Sequence, residues 1–334
     1  MQDVLHQLGF ASEIFVCSEH LEPTLRNSAR TLEELSVDPT DIVLYHHSIG
    51  SDAGERMGTL ECRRVMVYHN ITPASQIRPF NPAVAAQLDW GRDQLGRLTD
   101  SVEMVIADSP YNEREVREIG YAKTTTLPIL LHETNYRIRP DRRTIQKLSN
   151  GHWNVVFVGR LAPNKCPHDL IKSFHIFRRF IHPSSSLILV GSYGGFETYH
   201  RALAEMVREL ELDSSVVMTG RVSQQELLAH YQTAHTFLCL SAHEGFCVPI
   251  VEAFRSRVPV VALGSGAVPD TLGDAGILME TADPLVIAES LEAVRSNPQL
   301  RGELIERGYE RYETQFSPQS VAVRFREIIA NLVD

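Results

Sequence analysis

Glu244 and Glu252 bracket the segment EGFCVPIVE, with seven residues between them. The turn Glu244-Gly245 leads from an apolar run, His235–Leu240 (HTFLCL), into an amphipathic stretch with Pro249 near its start. Proline is tolerated in the first turn of a helix, so the order is strand, turn, helix. The backbone N–H groups of Gly245, Phe246, Cys247 and Val248 then fall at a helix start. Such a start binds anions, because unpaired donors and the helix dipole act together. Acids beside it would repel a bare phosphate, which leaves two readings. Either Glu252 caps or pairs structurally, or each acid accepts hydrogen bonds from neutral hydroxyls while the amides hold an anion between them. A nucleotide-sugar offers that layout: sugar hydroxyls, a diphosphate, ribose hydroxyls. Cys247 reads as a small packing residue rather than a nucleophile.

Further polar residues fall at the ends of apolar runs. Gly159-Arg160-Leu161 and then Lys165 follow one run, Gly191 the next, and Gly220-Arg221-Val222 a third. Arg160 and Lys165, on one loop, could both reach a diphosphate; arginine suits bidentate contact and lysine acts as a point charge. The bland alternative is ordinary surface charge after a strand.

These residues need a frame, and the chain supplies an alternation of strands and helices. In the first half a helix ends at Gly9, and strands are expected over Ile14–Cys17, Asp41–His46, Arg64–His69, Glu103–Ala107 and Thr125–Leu131, with a helix from Ser109 to Ile119. In the second half strands are expected over Asn154–Gly159, Ser186–Gly191, Val216–Gly220 and His235–Leu240. The strand Val258–Leu263 and then Val268–Leu272 follow. Helices are expected over Pro167–Phe180, Tyr199–Glu211, Ser223–Tyr231, Asp283–Ser296, Asn297–Phe316 and Pro318–Leu332. Ser223 with Glu226 three residues on is a capping box. Strand–helix alternation argues for parallel, doubly wound sheets, hence an α/β chain of two Rossmann-like domains with a cleft between them. In such sheets ligands sit at the carboxyl ends of the strands.

The expected boundaries are 1–134 for the first domain, 135–150 for a linker, 151–316 for the second domain and 317–334 for a closing helix. The linker is polar and basic (Arg137, Arg139, Arg142, Arg143, Lys147) and reads as solvated, with an acidic membrane surface as the alternative partner.

Composition narrows the classes. At 334 residues there is room for two cores, and 43% hydrophobic with 22% charged residues is ordinary for a globular protein. A net charge of −10 argues against nonspecific nucleic-acid binding. No apolar run approaches the roughly 20 residues of a membrane span. The start MQDVLHQLG does not have the form of a signal peptide. Five scattered cysteines without C-x-x-C pairs predict a reduced, cytoplasmic protein. No G-x-G-x-x-G follows a first strand, which excludes a nicotinamide dehydrogenase of the usual kind. No Asp-x-Asp is present to hold a divalent metal, and no Ser-His-Asp or Cys-His set is visible for a covalent route.

GRLAPNK at 159–165, GSYGG at 191–195, GRV at 220–222 and EGFCVPIVE at 244–252 resemble the C-terminal domain of retaining family 4 glycosyltransferases, which have the GT-B fold. YHHSIGS at 45–51, YHNITP at 68–73 and the Ser109-Pro110-Tyr111-Asn112 turn are similar to the first domain of that family. The resemblance implies that Arg160 and Lys165 bind the donor diphosphate, Glu244 the transferred sugar and Glu252 the ribose. It implies that the Arg221-Val222 backbone faces the base, with Gly159 and residues 245–248 lining the donor. His69 matches a histidine that reaches the donor sugar; His46 and His47 are weaker candidates on the acceptor side, with packing expected for at least one. The closing helix would return to the first domain. The implied activity is transfer of a hexose-type sugar, without metal, from a nucleotide-sugar to a glycan or lipid-linked acceptor. Implied too are retention of anomeric configuration and a cytoplasmic site, with peripheral contact at the inner membrane face.

Two departures stand out. The family begins with a strand and a glycine loop ahead of the helix that starts here at Met1, so an upstream start or a truncation is expected. In GSGAVPD, Asp270 stands where the family often has glutamate. The competing readings are a catalytically silent sugar-nucleotide-binding protein or partner subunit, and another GT-B enzyme such as a nucleotide-sugar epimerase.

Overall fold

Near-continuous runs of valine, isoleucine and leucine form strands covered on both faces, the pattern of parallel sheets. In the computed structural model, which describes residues 1–18 and 28–333, all the strands pair in parallel and the chain divides into two units. The first comprises residues 1–74, 83–130 and 318 onward; the second comprises 75–82 and 131–317.

The first unit opens with α1 (Gln2–Gln7). A short pair, β1 (Phe15–Val16) and β2 (Arg30–Thr31), forms its own two-stranded sheet. A four-stranded sheet follows: β3 (Ile42–His47), β4 (Arg63–Tyr68), β5 (Met104–Ala107) and β6 (Thr124–Thr126), in the order β3-β4-β5-β6. The expected strand over Thr125–Leu131 is cut short. Leu127 N–H still bonds the Ala107 carbonyl at 2.8 Å, but Pro128 has no N–H with which to continue. Between strands lie α2 (Asp52–Met57), then α3 (Ala74–Ile77), which falls almost wholly in the stretch belonging to the second unit, then α4 (Pro82–Arg97) and α5 (Pro110–Ile119), the last capped by Ser109 and ended at Gly120, whose φ is 120°. α2 and α4 were not anticipated from the sequence.

In the second unit the basic side chains after residue 135 (Arg137, Arg139, Arg142, Arg143 and Lys147) are exposed, as a solvated stretch would have them, but the segment is also anchored to the domain. It contains α6 (Arg142–Leu148), capped by Asp141, and Leu148 is buried against Val156, Ile188 and Val190. The sheet strands are β7 (Trp153–Val158), β8 (Ser185–Val190), β9 (Val216–Gly220), β10 (Thr236–Cys239), β11 (Val260–Leu263) and β12 (Gly276–Met279). Their spatial order is β12-β11-β10-β7-β8-β9. Counted from β7 as first, this is 3-2-1-4-5-6 read from the far edge, the dinucleotide-fold order.

The helices are α7 (Pro167–Ile176), α8 (Glu197–Glu209), α9 (Gln224–Thr233), α10 (Val248–Arg255), α11 (Val268–Leu272), α12 (Pro284–Ser296) and α13 (Pro298–Arg311). Val268–Leu272 is thus a helix turn opened by Pro269, and β12 was missed from the sequence. The Ser223–Glu226 capping box forms as expected.

α14 (Pro318–Val333) belongs to the first unit. Its Val321, Phe325, Ile329 and Leu332 complete a core with Val4, Val65, Val67, Ile106 and Leu127.

Candidate functional site

The strand order reverses between β7 and β10, and the crevice beyond the carboxyl ends of two such strands is where open α/β sheets hold ligands. The loops leaving β7 and β10 carry Lys165 and Glu244. Gly159 follows β7 with φ 155°, and Gly191 follows β8. A Cβ on Gly191 would lie 1.9 Å from the Gly159 carbonyl oxygen, so only glycine lets these two strand ends approach. The β7 loop is also tied to the β10 loop, through Ala242 N–H to the Asn164 carbonyl at 2.9 Å.

That tie brings Lys165 Nζ to 2.7 Å from Glu244 Oε1. Their side chains are 24% and 9% exposed, so the pair is largely buried and Lys165 keeps the greater contact with solvent. Burial pushes the Lys165 ammonium down, and the Glu244 carboxylate, beside it and hydrogen-bonded to it, is the chief influence in the other direction. The net shift is upward, and Lys165 stays charged.

Arg160 takes another direction. Its guanidinium donates to the Gly194 carbonyl at 2.6 Å and lies 4.7 Å over the Phe196 ring. Asn81 meets the same loop, donating to the Gly195 carbonyl at 2.9 Å. The structure therefore joins Lys165 to Glu244, and Arg160 to the loop after β8.

The Glu244 turn is fixed from behind by the segment after β11. Ala267 N–H bonds the Glu244 carbonyl at 2.9 Å, and Ser265 Oγ bonds the Ser241 carbonyl. Gly266 has φ 55°, and a Cβ there would sit 2.3 Å from the Glu244 carbonyl oxygen. Asp270 and Thr271 offer their carbonyls to Arg311 at 2.6 and 2.9 Å.

Of the four residues expected at the helix start, Phe246 is a core side chain, edge-on to Phe316. It can serve a ligand through its backbone alone. Cys247 is the N-cap of α10, left-handed at φ 69° and without a side-chain capping bond; Val248 opens the helix and Gly245 lies in the turn before it. The Cys247 thiol lies 3.9 Å from that of Cys239. That hydrogen bond, and then burial, hold its pKa well above the ordinary thiol value, so it is no nucleophile at neutral pH. Cys239, Glu244 and Cys247 each place a ligand atom within 4.8 Å of the others, close enough to share a metal ion, but the Lys165 ammonium already sits on that carboxylate.

Glu252 is buried on α10, and both of its oxygens have partners. Tyr136 Oη donates to Oε1 at 2.6 Å and Tyr231 Oη to Oε2 at 2.8 Å. Burial raises its pKa, and the two phenols pull it part of the way back. Neither tyrosine was singled out from the sequence, where nothing local links positions 136, 231 and 252. Arg221 is exposed just after Gly220, whose φ is 69°, while the Val222 side chain packs on the cluster around Leu148.

In the first unit the three histidines separate by role. His47 is fully buried: its Nε2–H donates to the Gly91 carbonyl at 3.0 Å, and Nδ1 accepts the Tyr45 hydroxyl at 2.9 Å. It is a packing residue. His69, just past β4, sets Nδ1 3.4 Å from Asp108 Oδ2 and Nε2 2.8 Å from His46 Nδ1. With the Asp108 carboxylate accepting, His69 carries its proton on Nδ1 and offers Nε2 as acceptor. Burial lifts the Asp108 pKa, and His69 partly counters this. Asp108 is the residue that orients His69, and no local motif marks it in the sequence.

Among the described residues no helix is long and apolar enough to cross a membrane.

Comparison with known proteins agrees with this architecture. The chain is 28% identical over 177 residues to the capsular polysaccharide biosynthesis glycosyltransferase CapM of Staphylococcus aureus, a match covering 52% of this chain and 45% of that protein. It is 30% identical over 195 residues to the O-antigen chain mannosyltransferase B of Escherichia coli, covering 57% of this chain and 50% of the relative. The chain thus spans about half the length of the curated relatives it matches. Anabaena HepE, solved in complex with UDP-glucose, superposes with a TM-score of 0.69 at 19% identity, over 86% of this chain and 78% of that one. At that identity the likeness shows the fold, which is GT-B. The family model of glycosyl transferases group 1 matches residues 139–311, just over half of the sequence and all six strands of the second sheet. The chain belongs to the glycosyl transferases group 1 family.

Proposed function

We propose that this glycosyltransferase is a retaining, metal-independent enzyme of family 4. It moves a hexose-type sugar from a nucleotide-sugar to a glycan or lipid-linked acceptor. The observation that carries this reading is the Lys165–Glu244 pair at the reversal of the strand order. A cation and a hydroxyl-accepting carboxylate stand together there, beside the start of α10.

Breaking the anomeric C–O bond leaves an oxocarbenium-like sugar and a diphosphate with added negative charge. An ammonium has three N–H donors, and Glu244 takes one of those on Lys165, leaving two for phosphate oxygens. Lys165 and the amides around Val248 then stabilise the leaving group electrostatically, each such donor contributing on the order of 3 kcal/mol, and Arg160 joins them only by leaving the Gly194 carbonyl. The departing phosphate takes the acceptor proton during front-face attack. Glu244 accepts from the transferred sugar, Glu252 from the ribose, and the Arg221-Val222 backbone faces the base. His69 takes the role that the family resemblance gives it, toward the donor sugar. Two similar proteins motivate the donor class: HepE was solved with UDP-glucose, and the E. coli relative is a mannosyltransferase.

The test is a calorimetric screen of UDP-, GDP- and dTDP-linked hexoses, followed by proton NMR of the product's anomeric centre. Retention with one donor is expected. An inverted product would overturn the mechanism. Donor binding with neither transfer nor donor hydrolysis would make the chain a binding protein instead.

A further inference from the structure

The two phenols on Glu252 are not equivalent. Tyr231 lies inside α9, is 1% exposed, and also reaches the Pro249 carbonyl at 3.3 Å. Tyr136 ends the short 3-10 turn Glu133–Tyr136 and is only half-buried, with exposed residues on both sides of it. Its hold on α10 comes from Arg255, three residues after Glu252 on the same helix. The Arg255 guanidinium stacks 4.8 Å over the Tyr136 ring and donates to the Tyr136 carbonyl at 3.1 Å. Tyr231 is therefore a fixed orienter of the carboxylate, and Tyr136 is the partner on its solvent side.

A buried carboxylate oxygen without a donor is costly, so something must satisfy Oε1 when no ligand is present. A phenol O–H does for it what a ribose O–H would do. We infer that Tyr136 occupies the ribose subsite of the donor site and is displaced from Glu252 Oε1 when a nucleoside diphosphate binds, so that it sets donor affinity. The inference rests on the proposed function above. One hydrogen bond to Glu252 is exchanged for another, so the swap is close to balanced. Binding must still undo the Arg255–Tyr136 clamp, and that cost is carried by every ribonucleotide that uses Glu252.

The test is calorimetric titration of the full chain with UDP and GDP and with their 2′,3′-dideoxy forms, for the wild type, Tyr136→Phe and Glu252→Gln. Phenylalanine keeps the ring under Arg255 and removes only the hydroxyl, so folding is expected to survive; a far-UV spectrum and melting curve check this. Tyr136→Phe should bind the ribonucleotide about three- to tenfold more tightly, the scale of one lost competing hydrogen bond. The dideoxy form should gain nothing, and hydrogen exchange over residues 132–137 in the wild type should rise on binding. Binding seen only in Tyr136→Phe would be the strongest support. If the wild type binds, Glu252→Gln weakens binding, and Tyr136→Phe is unchanged or weaker, displacement is wrong while the donor site stands. If neither UDP nor GDP binds any variant, the donor-site reading falls and takes this inference with it.

Discussion

Lys165 and Glu244, 79 residues apart in sequence, meet at 2.7 Å because β7 and β10 are neighbours in the sheet. Each neutralises a charge that the interior would otherwise hold alone. Removing one partner strands the other, which costs more than the pair is worth. Lys165→Met and Glu244→Gln should each destabilise the second unit by about 2–4 kcal/mol, below the cost for a sealed pair because Lys165 keeps some solvent. The double variant should lose clearly less than the sum. Urea unfolding of the four proteins measures this, and additive losses would mean the two residues act independently.

Gly266→Ala and Gly302→Ala should differ in sign. At Gly266 the backbone is left-handed and a Cβ would press on the Glu244 carbonyl, so alanine should cost about 2–3 kcal/mol and displace the Glu244 turn. At Gly302, inside α13, a Cβ meets nothing within 4 Å, and alanine should add about 0.5–1 kcal/mol through helix propensity. Thermal melts decide both. Donor titration of the Gly266 variant should show weakened binding that the Gly302 variant does not.

Acid should weaken the first unit through His47. Burial pushes its pKa down to about 4, with the Gly91 carbonyl pulling partly the other way. The unfolded histidine takes its proton near pH 6.5, so the folded state binds fewer protons between the two values. Stability is then present above about pH 6.5 and is lost as pH falls toward 4. His47→Gln should flatten that part of the profile, with the wild type losing about 1–2 kcal/mol more between pH 7.5 and 5. Parallel slopes in urea titrations at the two pH values would remove His47 as the cause.

Ending the chain at Ser317 should unfold the first unit. α14 contributes four buried apolar side chains to that core, each stabilising by about 1.5–3 kcal/mol, a sum comparable with a whole domain's stability of roughly 5–15 kcal/mol. Arg63, which is paired with Glu103, also donates to the Leu332 carbonyl and would lose that partner. Limited proteolysis should degrade residues 1–130 of the truncated chain and spare the second unit. Equal protection of both would show that α14 is dispensable.

Chelation is expected to leave transfer unchanged. On the proposed mechanism, Lys165 beside Glu244 takes the part that a divalent ion would otherwise have. Activity lost in EDTA and restored by Mg2+ or Mn2+ would end the metal-independent mechanism.

The sequence by itself was enough for two parallel α/β halves. Runs such as NVVFVG and SLILVG read as buried strands, and the capping residues Ser109 and Ser223 marked two helix starts correctly. These are local properties: side-chain branching, proline's missing N–H and caps act within a few residues. It also pointed to Lys165, Glu244 and Glu252 as groups with chemistry to do, and left Asp108, Tyr136 and Tyr231 unremarked. Only the tertiary structure decided who meets whom. Strand order put the β7 and β10 loops side by side, packed Phe246 into the core, and turned Arg160 toward Gly194. It also gave the hydroxyl-accepting carboxylate of Glu252 two tyrosines from distant segments. Such pairings depend on which strands neighbour each other and on how far each loop reaches, and no residue's local preference encodes either.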